Sequence, residues 1–180
     1  MPTGLKRHHD TGFSHFITCS CYRHMPFLGR AEERDQCLRI LRETAEKYQA
    51  RLRGFVIMPE HIHLILGEPE AGSIATVMQV VKQRSSKMIR KIRPDLIPTL
   101  TSRAGASATI PVWETRYYDY LIPNPDKFDE KLAYIHLNPV RRNLVDKPGK
   151  WAWSSYREWE MRSAQPIRYI ENDEPSGGTR

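Results

Sequence analysis

Two short runs rich in β-forming residues, 54–58 and 61–66, are separated only by Pro59 and Glu60. So little chain can join two strands only as an antiparallel hairpin, because a parallel return needs a crossover of a dozen or more residues. The flanking patterns build on this hairpin. Residues 13–22 (FSHFITCSCY) alternate, with Phe13, His15, Ile17, Cys19 and Cys21 on one face, which is the period of a strand. Residues 32–48 place Cys37, Leu38, Leu41 and Ala45 at helical spacing. Ser73 is a natural N-cap for a helix reaching about Arg93 and ended by Pro94. Residues 94–111 read as a loop, and the aromatic, β-branched residues 112–122 as a strand. Pro125-Asp126 opens a last helix, expected to stop at about Leu137 because Pro139 follows. The order strand, helix, strand, strand, helix, strand, helix is that of an α+β fold with a ferredoxin-like antiparallel sheet covered by helices.

Size and charge narrow the partner. The chain has 180 residues, with 28 Lys+Arg against 21 Asp+Glu and a net charge of +7. That length suits one domain, taken as residues 1–164 with a basic N-terminal arm, and residues 165–180 read as a flexible tail. The basic excess points to a polyanion partner, with nucleic acid the expected one. No apolar run approaches the ~20 residues of a membrane helix, and the basic N-terminus lacks the apolar stretch of a secretory signal. Three cysteines, Cys19, Cys21 and Cys37, form no disulfide framework and fit a reducing cytoplasm. His8, His9, His15, Cys19, Cys21 and His24 crowd the N-terminal region, but the Cys-x-Cys spacing lacks the second pair of a structural zinc site.

The chemistry concentrates in two places. In a strand, residues i and i+2 share a face, so His61 and His63 project side by side, spaced to share one divalent metal. On the last helix, Phe128, Leu132 and Ile135 form the apolar stripe. At ~100° per residue, Tyr134 falls about 125° from the centre of that stripe, with Asn138 one turn later on the same exposed face and His136 on the far flank. Two imidazoles and an amide can hold a hard divalent cation while leaving positions open, and a nearby phenol can then attack a polarised phosphate.

The run MPEHIH ending at His63, followed by YIHLNPV from Tyr134 to Val140, resembles the single-tyrosine HUH transposases, specifically their REP-associated tyrosine transposase branch. The resemblance extends from about Phe13 to Trp159, through the VWETRYYD stretch from Val112 and the WAWSSY stretch from Trp151. It implies an HUH endonuclease-type fold, with His61 and His63 as metal ligands, Tyr134 as nucleophile and Asn138 as the polar third ligand. It further implies Mg²⁺ or Mn²⁺ as cofactor and strand-specific cleavage and rejoining of single-stranded DNA through a 5′-phosphotyrosine. The substrates would be short, repeated extragenic palindromes forming hairpins. Relatives of this kind act as monomers or as homodimers.

Further residues could grip the nucleic acid. Lys82, Arg84, Lys87, Arg90, Lys91 and Arg93 fall in one acid-free stretch, readable as a phosphate-tracking stripe or as a solvated face. Arg141, Arg142, Lys147 and Lys150, with Trp151, Trp153 and Tyr156, could clamp a strand by charge and stacking, although at least one Trp is expected in the core. Tyr117, Tyr118 and Tyr120 lack an amide one turn on, which favours core or stacking roles over nucleophilic ones. Glu60 reads as a turn residue. Two competing functions remain on sequence grounds. One is a single-stranded nucleic-acid-binding module without catalysis, which would not need His61, His63, Tyr134 and Asn138 together. The other is a hydrolase of small phosphoesters, which would need more carboxylates near the His pair.

Overall fold

The computed structural model describes residues 14–96 and 111–162. The basic arm with Phe13, His8 and His9, most of the 94–111 loop, and the 165–180 tail lie outside the described residues. Four strands, β1 (Ser14–Ser20), β2 (Leu52–Ile57), β3 (His61–Gly67) and β4 (Tyr118–Ile122), form one sheet in the order β2-β3-β1-β4. Every neighbouring pair is antiparallel, so the sheet has the ferredoxin-like arrangement read from the sequence. Helix α1 (Ala31–Lys47) links β1 to β2, and α2 (Ile74–Ile92) lies on the path from β3 to β4. After β4 come α3 (Pro125–Arg141) and the short α4 (Tyr156–Arg162).

The pleat divides the core in two. Ile17 and Cys19 of β1 and Ile62, Leu64 and Leu66 of β3 face α1 and α2, together with Cys37, Leu41, Val77, Met78 and Val81. Phe16, Val56, Ile65 and Ile122 point the opposite way, where Leu132 and Ile135 of α3 pack on them. β1 and β3 are therefore buried on both faces, and all of β3 is buried. A Phe or Leu truncated to Ala in such a core costs about 3–5 kcal/mol. Gly54 helps α3 settle on β2, since a Cβ there would stand 2.9 Å from Leu132 Cδ1.

The helix starts follow their caps. Ser73 Oγ accepts from the Thr76 amide and Asn124 Oδ1 from the Lys127 amide, each worth about 1 kcal/mol. Two expected boundaries are corrected. The helix carrying Tyr134 does not stop before Pro139 but runs through it to Arg141. Proline removes one N–H, and the carbonyls of the last turn are taken by the amides of Arg142, Asn143 and Leu144. The strand expected over 112–122 begins only at Tyr118. Ahead of it, Trp113 makes an isolated bridge to Cys21, and the Glu114 and Thr115 carbonyls accept from Lys82 Nζ instead of joining a ladder.

Candidate active site

His61 and His63 lie on the sheet face that α3 covers, their ring centroids 4.6 Å apart. The same face of β1 carries Phe16 and Thr18, because Thr18 pairs with His63 and Ser20 with His61. The Phe16 ring stacks on His63 at 5.6 Å and meets Tyr134 edge-on at 5.9 Å. Tyr134 in turn stands 5.2 Å from His63, centroid to centroid. Asn138, one turn along α3, brings its amide nitrogen 3.3 Å from His63 Nε2. The β-hairpin and α3 thus bring together the four residues singled out from the sequence.

Each imidazole is oriented by a partner on its other nitrogen. His63 Nδ1 lies 2.8 Å from the Thr18 hydroxyl, and His61 Nδ1 lies 3.2 Å from Glu60 Oε1. A carboxylate only accepts, so His61 carries its proton on Nδ1 and leaves the Nε2 lone pair free. The same tautomer suits His63 when Thr18 accepts. Such partners hold ligating histidines in orientation and tune their basicity. Burial lowers the His61 pKa, against the opposing pull of Glu60, and pushes that of His63 down to about 3, helped by its neighbour His61. Both rings are then neutral at pH 7, the form that binds metals.

Residues present here suit a hard divalent cation. Asn138 is 6% exposed, and its Oδ1 is buried with no hydrogen-bond partner. An orphaned amide oxygen costs about 1–3 kcal/mol unless something satisfies it. Together with two imidazole nitrogens it makes an N,N,O donor set that Mg²⁺ or Mn²⁺ can use.

Several placements differ from the sequence expectation. Tyr134 is 37% exposed as expected, but Asn138 does not share an open face with it: the hairpin closes over the amide. His136 is fully buried, not projecting away, because residues 151–156 pack on its flank and its Nε2 lies 2.9 Å from Ser155 Oγ. Its pKa falls to about 4 through burial. Glu60 is more than a turn residue, since besides His61 it bonds Arg142 Nη2 at 2.7 Å. The Arg142–Glu60–His61 chain ties the C-terminal end of α3 to β3. Glu60 and Thr18 carry no sequence signal of this role. Only the strand register brings Thr18 opposite His63.

The basic residues divide. Lys82 holds the two carbonyls named above, Arg84 pairs with Glu43 and bonds Thr44, and Arg93 pairs with Glu33 at 2.6 Å and with Asp95. Lys87 and Lys91 are exposed on α2 and Arg90 is half-buried, all on the side of the sheet opposite Tyr134. Arg141 places its guanidinium 5.7 Å from the Tyr134 ring centre. Trp151 belongs to the core, donating to the Ile57 carbonyl, and Arg34 stacks on both Trp151 and Trp153. All three cysteines are buried in the α1/α2 core. Among the described residues no helix is long and apolar enough to cross a membrane.

Comparison with known proteins adds the ancestry. A solved structure described as a REP-associated tyrosine transposase bound to a REP hairpin superposes with a TM-score of 0.69 and 21% identity, covering 99% of this chain and 98% of that one. The REP-associated tyrosine transposase of Escherichia coli K12 is 24% identical over 116 residues, 64% of this chain and 60% of the relative. A Haemophilus influenzae protein provisionally given the same name is also 24% identical over 116 residues, 64% of each chain. The match thus spans less than two thirds of either relative's length. The model of the family described as "Transposase IS200 like" matches residues 11–136, a span that includes His61, His63 and Tyr134. The chain therefore belongs to the IS200-like transposase family and, within it, resembles the REP-associated tyrosine transposases.

Proposed function

We propose that this chain is a metal-dependent transposase that cleaves and rejoins single-stranded or hairpin DNA through a 5′-phosphotyrosine on Tyr134. The observation that carries the reading is the placement of the half-exposed Tyr134 ring 5.2 Å from His63, beside the orphaned Asn138 oxygen. A binding module would have no use for that set.

His61, His63 and Asn138 would hold Mg²⁺ or Mn²⁺, which when bound supplies Lewis-acid polarisation of a non-bridging phosphate oxygen. The chain's own part is positional. Phe16 and the α3 backbone hold the Tyr134 ring, and the exposed phenol attacks the scissile phosphorus. A bond forms from Oη to phosphorus and the bond from phosphorus to the 3′ oxygen breaks. The phenol proton passes to solvent, and the leaving 3′ oxygen takes one up as a hydroxyl. Attack by an incoming 3′-OH reverses the step and frees the phenol. One phosphodiester is exchanged for another, so rejoining needs no ATP. Lys87, Arg90, Lys91, Arg141 and Arg142 are the cations assigned to the DNA backbone, with Lys82 and Arg84 restricted to holding the fold. The substrate class is a repeated extragenic palindrome, in keeping with the REP hairpin bound in the similar solved structure. The protein would work in the cytoplasm as a monomer or homodimer.

The test uses labelled hairpin oligonucleotides from the DNA around its own gene, with Mg²⁺ or Mn²⁺. A denaturant-stable protein–DNA band from the wild type, lost in Tyr134→Phe while binding persists, is the expected result. Binding without any adduct in the wild type would make this a binding module instead.

A further inference from the structure

α3 packs across β2 and β3 and reaches the Ile122 end of β4, which leaves the Tyr118 end of the same face open. On that open face stand Tyr118 and Tyr120, two residues apart and paired with Thr18 and Phe16. Tyr118 is 56% exposed, an unusual position for a large aromatic on a sheet. Its ring meets Phe16 edge-on at 6.3 Å, and that same Phe16 ring meets Tyr134 at 5.9 Å. Phe16 is thus the floor of a shallow aromatic trough with Tyr118 at one end and the nucleophile at the other. Cations frame it. Lys131 Nζ lies 5.3 Å from the Phe16 ring centre and 5.5 Å from that of Tyr120, and Arg141 lies over Tyr134. Glu130 shares Lys131, and Asp119 points through to the opposite face, where it bonds His15.

We infer that this trough is a binding site for unpaired bases of the cleaved strand, with Tyr118 as the stacking platform for a nucleotide beside the scissile phosphate. The inference rests on the transposase reading for its orientation, because a phosphate at Tyr134 sends the adjoining nucleotides along the rings nearest to it. Its chemistry is independent of that reading. A half-exposed phenol ring stacks on any base face, and flanking ammonium and guanidinium groups compensate the phosphates on either side. A protein segment would gain little here, since the trough offers an edge strand only five residues long, framed by like charges. Tyr118 thereby acts on strand placement and not on the bond-making atoms.

The test is strand affinity without metal, measured by fluorescence anisotropy in chelator, with an oligothymidine of about twelve nucleotides and its abasic counterpart. Tyr118→Ala should weaken oligothymidine binding roughly 5- to 150-fold, the range for one lost base stack, and Tyr118→Trp should retain it. The abasic strand should bind wild type and Tyr118→Ala alike. Equal affinity of the Ala variant and wild type for oligothymidine, an equal loss on the abasic strand, or no binding of oligothymidine by the wild type would each overturn the inference. A change of oligomeric state in Tyr118→Ala with unchanged strand affinity would assign the face to contact between copies and overturn it too. Because Tyr118 is exposed, the variant should fold, which a thermal melt checks. The Tyr134 adduct is scored separately on the hairpin substrate, so its absence would sink the transposase reading and leave the stacking result standing on its own.

Discussion

Asn138 and His63 lie 75 residues apart in the chain, yet the amide nitrogen of one stands 3.3 Å from Nε2 of the other. The contact joins α3 to the hairpin at the point where Asn138 Oδ1 is buried without a partner. An amide can turn by exchanging its nitrogen and oxygen, so one side chain can serve the metal-free state as donor and the loaded state as ligand.

Metal binding should therefore depend on residues in a graded way. His61→Ala and His63→Ala should each abolish Mn²⁺ binding measured by calorimetry, while Asn138→Ala should weaken it less, a neutral amide being the poorer ligand. Thr18→Val keeps the shape of the side chain but removes the hydroxyl 2.8 Å from His63 Nδ1. It should cost about 10- to 100-fold in Mn²⁺ affinity. Unchanged affinity in His63→Ala would contradict the site.

His15 supplies a pH dependence of the fold. Its Nδ1 and Nε2 each lie 2.7 Å from a carboxylate, Asp119 and Glu68. Burial alone would lower its pKa, but the two carboxylates together outweigh burial and raise it above 6.5. A histidine whose folded pKa exceeds its unfolded value stabilises the fold fully below the unfolded pKa and loses that contribution as pH rises through the folded one. The stability gap between wild type and His15→Gln, from urea unfolding, should be widest below about pH 6 and shrink toward pH 9. A gap that widens with pH would mean that the ring is neutral between the carboxylates.

How much of this was legible in the sequence follows from the range of each interaction. The hairpin, the His61/His63 pair and the one-turn spacing of Tyr134 and Asn138 are local, so periodicity alone located them. The ferredoxin-like order followed from the succession of elements. Pro139 misled because a proline near a helix end removes a single hydrogen bond that the next turn replaces. Asn138 and His136 are buried where the helical wheel leaves them open, for one reason. A helical wheel shows one apolar stripe but not a second element, such as residues 151–156 or the hairpin, closing over its flanks. Glu60 and Thr18 were missed as partners of the histidines because register and the reach of Arg142 from α3 are tertiary facts. The basic run 82–93 looked uniform in sequence, and only packing separates Lys82, Arg84 and Arg93 from Lys87 and Lys91.

That separation makes a prediction about salt. Lys87 and Lys91 are exposed on α2, whereas Arg84 and Arg93 are engaged with Glu43, Glu33 and Asp95. If α2 tracks a DNA backbone, Lys87→Ala with Lys91→Ala should flatten log K against log salt by roughly 0.7 per lost contact, with the melting temperature unchanged. Arg93→Ala should instead lower the melting temperature, because it leaves the buried Glu33 carboxylate without its guanidinium. An unchanged slope in the double variant would make the α2 face a solvated one and confine DNA contact to the Tyr134 side of the sheet.

The polarity of the product should be fixed. Tyr134 stands on α3 while His61 and His63 are anchored in β3, so in the proposed mechanism the attacking phenol and the metal-holding imidazoles come from different elements of one site. In-line attack requires the leaving oxygen to lie opposite the phenol, and a phosphate gripped in one orientation offers only one of its two ester oxygens there. The family resemblance implies that this is the 3′ oxygen. Cleavage of a labelled hairpin should then yield a fragment with a 3′-OH that a polymerase extends, and a second fragment whose 5′ phosphate is blocked on a Tyr134 peptide identified by mass spectrometry. Adding a strand with a free 3′-OH to the isolated adduct should give a recombined strand without ATP and regenerate the free phenol. A phosphotyrosine joined to a 3′ end would reverse the assignment of the leaving oxygen. A free 5′ phosphate with no adduct would mean that water attacks in place of Tyr134 and that the exposed phenol serves only as part of the aromatic trough.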